Sequence, residues 1–88
     1  MQESDAEKIS ILMMQINSKV NDSAAFVRDN GTDKEYQEYK RNAGQVTKNI
    51  LDIASRIYVD HPNLKPQQLG GKYQVDESIF ADRFYAWE

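Results

Sequence analysis

The chain has 88 residues, 40% of them hydrophobic and 28% charged, with a net charge of −3 and no cysteine. That length allows one thin core and no second domain, and the composition is that of a globular chain rather than a disordered one. The missing cysteine excludes disulfides, thiolate metal sites and thiol nucleophiles, and the even mixture of acidic and basic side chains leaves no basic patch to attract nucleic acid.

The opening Met1-Gln2-Glu3-Ser4-Asp5 is acidic and polar, without the basic-then-apolar order of a secretory signal. The apolar run Ile11 to Met14 is far too short to cross a bilayer. A cytoplasmic protein with no membrane contact is expected. Ser4-Asp5-Ala6-Glu7 reads as a capping box at a helix start. Ile9, Leu12, Met13, Ile16, Val20, Ala24 and Val27 then recur at helical spacing. Asn30-Gly31 supplies a left-handed stop, so the first helix is predicted over about 5–29.

Thr32-Asp33-Lys34-Glu35 is a second capping box directly after that glycine. Tyr36, Tyr39, Ala43, Val46, Ile50, Ile53 and Ile57 follow in alternating steps of three and four, keeping one helical stripe toward one partner. Pro62 forces His61 out of helical geometry, which places the second helix over about 33–59. Two long helices joined by so short a turn fold back as an antiparallel hairpin. Gly44, in mid-helix beside Ala43, reads as a point of close backbone approach between the arms.

Residues 60–75 hold both prolines and Gly70-Gly71, and read as a connecting loop in which Lys72-Tyr73-Gln74-Val75 is extended without a strand partner. Asp76 then caps a final helix over about 77–86, with Ile79, Phe80, Phe84 and Trp87 gathered on one face. The fold class expected for residues 1–88 is all-α: a long antiparallel hairpin with a short C-terminal helix on its open end, and dimerisation able to complete a helical bundle.

Side-chain bulk is uneven along the arms. Ile9 to Ile16 and Ile50 to Tyr58 are fattest at the open end, where the last segment begins. A short helix there rises only about 1.5 Å per residue and would not reach the turn. Phe26, Tyr36 and Tyr39 at the turn end are therefore the candidate partner-binding residues, since half-covered aromatics suit interface centres.

No constellation names a reaction. His61 stands alone in a loop with Asp60 and lacks a second ligand or a nucleophile at a diagnostic spacing. Gly70-Gly71-Lys72 lacks the upstream glycine and the following Ser or Thr of a phosphate-binding loop, because those positions are Pro66 and Tyr73. Asp76, Glu77 and Asp82 are accounted for by a helix cap and a solvated face. Catalytic, cofactor and metal residues are accordingly expected to be none. The expected function is a non-catalytic protein-binding module of adaptor, inhibitor, immunity or regulatory type, paired with itself or with another protein. The competing class is a small-molecule binder or small enzyme using a pocket between the C-terminal helix and the hairpin, lined by Tyr58, Tyr73, Phe80, Phe84 and Trp87.

Overall fold

The computed structural model describes residues 1–87. Two α-helices, α1 (Glu3–Asn30) and α2 (Asp33–Asp60), pack antiparallel into a hairpin about 44 Å long. Among the described residues the remaining regular structure is three short 3-10 turns, Pro62–Leu64, Gln67–Leu69 and Glu77–Phe80, with no strand. The protein is all-α, as the periodicity predicts. Both helices run one or two residues past their expected ends.

The two helix starts differ. At α2 the capping box is complete: Thr32 Oγ1 accepts from the Glu35 amide at 3.2 Å, and Glu35 Oε1 accepts from the Thr32 amide at 2.9 Å. At α1 the helix begins before Ser4, with Gln2 in the cap position and no side-chain cap bond. Gly31 is extended (φ −101°) rather than left-handed, and its amide donates to the Val27 carbonyl at 2.7 Å. With Thr32 also extended, two residues suffice to send the chain back along α1.

The hairpin seam is less uniformly apolar than its spacing suggests. Ser10 and Tyr58 share a hydroxyl–hydroxyl bond of 2.7 Å, Thr47 donates to Asn17 at 3.1 Å and Tyr39 donates to Ser23 at 2.8 Å. The dry core is small and lies at the open end, built from Ala6, Ala54, Ile57, Tyr58 and Leu64 with Tyr73 against it. Ile53, a member of the predicted stripe, is 50% exposed. Gly44 is exposed, and a β-carbon placed there would meet nothing, so it marks no close approach between the arms.

The 60–75 connection folds under the open end of the hairpin. Pro66 and Tyr73 form an isolated parallel bridge, closed by Tyr73 N to Lys65 O at 2.9 Å and Gln67 N to Tyr73 O at 3.1 Å. Gly70 supplies the left-handed turn (φ 88°), and at Gly71 a β-carbon would collide with the Lys65 backbone. Tyr73, expected to be an unpaired extended residue, is thus pinned through both its amide and its carbonyl.

The C-terminal helix expected over 77–86 is replaced by one 3-10 turn, Glu77–Phe80, after which residues 81–87 are not helical. Asp76 does cap this turn, accepting from the Ser78 amide at 2.9 Å. The reason the helix stops lies in α1, whose side chains take the backbone groups that a helix would need. Gln15 donates to Ile79 O at 3.0 Å, Lys19 to Asp82 O at 2.8 Å, and the Phe84 amide donates to Asp22 at 3.2 Å. So short a helix is marginal on its own, and three external hydrogen bonds outweigh it.

Candidate functional site

Released from helical rise, residues 81–87 form a strap that follows α1 toward the turn. Together with Ile79 and Phe80 before it, the segment tracks α1 from Gln15, bonded to Ile79, to Asp29, bonded to Tyr85, about 21 Å at the helical rise per residue. The same residues in helical form would cover about half that distance.

The strap is fastened at Asp22. This carboxylate is 1% exposed, the largest fully buried side chain among the described residues, although it stands in mid-helix. Arg83 grips it with two nitrogens, Nε at 2.8 Å from Oδ2 and Nη2 on Oδ1, while Trp87 Nε1 donates to Oδ1 at 2.9 Å. With the Phe84 amide, every donor in this set comes from residues 83–87. The Arg83 guanidinium, then the Trp87 indole, hold the Asp22 carboxyl well below the usual carboxylate range, against the opposing effect of burial.

Beyond the clasp, aromatic side chains close the strap onto α1. Phe26 meets Phe84 at 5.6 Å between ring centroids and Tyr85 at 5.3 Å, both edge to face. The Tyr85 hydroxyl donates to Asp29 at 2.7 Å, which raises its own pKa, and the Arg28 guanidinium lies 5.7 Å from the Trp87 ring centroid. Asp29 is held down first by Arg28 and then by Tyr85. At the opposite end of the molecule Tyr73 donates to Glu7 at 2.7 Å, and this bond, with burial, pushes the phenol up to about 12.

The three residues expected to form one partner surface go to three different contacts. Phe26 lies beneath the strap, Tyr39 bonds Ser23 across the seam, and Tyr36 lies under the Lys40 ammonium. An extended strap reaches the turn end where a short helix does not, and Phe26 and Tyr39 still keep 41% and 39% of their surface exposed. Of the aromatics expected to line a pocket, Tyr58, Phe80 and Trp87 do border a cleft between hairpin and strap. Tyr73 and Phe84 point elsewhere, to Glu7 and Phe26.

Asp22 and Arg83 were not legible as a pair, since 61 residues separate them. The available signals were a lone carboxylate inside an otherwise regular helix and a lone arginine among tail aromatics.

A second feature is an uncovered apolar face. Ile9, Leu12 and Ile16 of α1, with Tyr39, Val46 and Ile53 of α2, all retain a third or more of their surface exposed. Helical spacing places Ile9, Ile16, Tyr39, Val46 and Ile53 on one side of the seam, while Leu12 and Ile16 also line a groove with Ile79, Phe80 and Asp82 of the tail. His61, at the end of α2, donates its amide to Ile57 O. Among the described residues no three metal-ligating side chains cluster, and no helix is long and apolar enough to cross a membrane. Comparison with protein families, curated proteins and solved structures finds no match for this chain.

Proposed function

We propose that this chain is a small non-catalytic protein-binding module that works by pairing with a second copy of itself through the uncovered face of the hairpin. The observation carrying this reading is the row of partly exposed Ile9, Ile16, Tyr39, Val46 and Ile53 along one side of a two-helix ribbon. Contiguous apolar surface of that kind is unusual on a chain that stays single. Two such ribbons laid face to face by two-fold symmetry make a four-helix core, the common way of burying paired helical stripes. Thin packing within each copy supports the same arrangement, because the dry core involves few large side chains and association adds the burial that the length denies.

The charged groups with the largest perturbations support a structural rather than a catalytic role. Asp22 and Arg83 neutralise one another to hold the strap, and Tyr73 is committed to Glu7. A cytoplasmic setting fits the cysteine-free composition.

Light scattering tests the pairing. The wild-type chain at about 100 μM should have twice its chain mass, and Ile53→Asp should return it to single-chain mass with its helix content kept. A wild-type mass of one chain at that concentration overturns self-pairing.

A further inference from the structure

On the other side of the seam from Ile53, an open cleft of about 450 Å³ is bordered by α1, α2, the 60–75 loop and the strap. Its walls include Met13, Met14, Ile50, Leu51, Phe80 and Trp87. The strap's fastenings explain why this space stays open. Its two ends are held by hydrogen bonds of fixed length, Gln15 to Ile79 O and the Asp22 clasp, so apolar attraction cannot draw it down onto the hairpin.

The chemistry of the walls selects an occupant. The cavity lies within the size range of small-molecule sites. Two adjacent methionines give an adaptable apolar surface, and the flat indole of Trp87 closes one end. The buried charge at that end, Asp22, is already matched by Arg83, so an anionic ligand would lose hydration without gaining a free counter-ion, and the other carboxylate of the lining, Glu77, is exposed at the rim, where water screens any pairing with a cation. Asn17 and Asn21 add amide groups to the lining.

We propose that this cleft binds a small uncharged, mainly apolar molecule carrying at most one hydrogen-bonding group, with the strap as its movable outer wall. Leu51 of the cleft and Ile53 of the pairing face lie on opposite sides of α2, so substitutions at the two can be told apart. The cleft opens to solvent along its rim, and its strap wall is seated with little apolar burial. Phe84 and Trp87 are already 59% and 40% exposed, so the Asp22 clasp holds most of the closure.

The test is titration of the full chain with N-phenyl-1-naphthylamine, a neutral apolar fluorophore, read by its own emission on direct excitation. Saturable binding is expected with a Kd on the order of 10–100 μM, as suits a ligand of this size. Decanol should compete, and decanoate should compete at least tenfold more weakly. Leu51→Trp, filling the cleft from a position that is 43% exposed, should weaken binding at least tenfold while circular dichroism shows the same helix content. If that variant folds poorly, Asn21→Trp blocks the cleft from an exposed position on the facing helix. Ile53→Asp, on the pairing face, should leave the Kd within twofold even if it changes the mass. No saturable binding overturns the proposal. So does binding that survives in the folded cleft-filling variant, or binding lost in Ile53→Asp, which would place the probe on the pairing face.

Discussion

Asp22 occupies the middle of α1, where aspartate is a poor helix former and where a buried charge is costly unless fully matched. Its four donors all belong to the strap, so the cost is offset only while the strap is seated. Asp22→Asn should lower stability by about 1–3 kcal/mol, the usual loss for a buried charged hydrogen-bond partner. Trp87 is the sole tryptophan, so its emission should shift to the red as the indole leaves the clasp; an unchanged spectrum would mean the strap does not depend on this carboxylate. The pH dependence has a definite sign. The folded pKa is depressed, so the stabilisation is complete above the unfolded value of about 3.9 and is lost as pH falls below it. Unfolding midpoints measured between about pH 5 and pH 2 should therefore fall more steeply in the wild type than in Asp22→Asn. Gly44 is a contrasting position, an exposed helical glycine with open space around its missing β-carbon. Gly44→Ala should raise stability by roughly 0.5–1 kcal/mol, visible as a higher melting temperature. A decrease would show that the position serves something outside the isolated chain.

Among the elements, the loop and the strap are held by different physics. The 60–75 loop is closed by backbone bonds around the Pro66–Tyr73 bridge and by burial of Leu64 in the core. Gly71 permits that closure because its α-carbon lies against the Lys65 backbone. Gly71→Ala should cost about 1–3 kcal/mol as the bridge is forced apart, and should deprotect the Tyr73 amide in hydrogen exchange. Protection equal to wild type would show that the loop relaxes without loss. The strap, by contrast, has exposed aromatics and a polar clasp, which makes it the element best suited to open while the hairpin stays folded.

For the whole molecule, the decisive quantity is how little dry core 88 residues build. The hairpin carries the strap along one face of α1 and leaves Ile9, Val46 and Ile53 exposed. If the open face is a pairing surface, the melting temperature should rise with protein concentration, as mass action requires of a stabilising association. A melting temperature independent of concentration over about a hundredfold range would count against it.

Helix positions, their antiparallel return and the Thr32 cap were determined by local sequence, because 3.6-residue periodicity, capping boxes and a two-residue turn act over a few residues. The same spacing marked Ile53 as core and left it half exposed, since periodicity identifies a face without saying whether anything covers it. The tail shows the other limit. Ile79, Phe80, Phe84 and Trp87 have helical spacing, yet the backbone beyond Phe80 is not helical, because Gln15, Lys19 and Asp22 compete for its hydrogen-bonding groups. Those competitors lie some sixty residues upstream and gain meaning only once the hairpin sets them in a row along α1. Local propensity therefore determined the hairpin, whereas tertiary hydrogen bonds decided the path of the strap, the Asp22 clasp and the cleft beneath it, because a short segment has too little helical stability of its own to resist them.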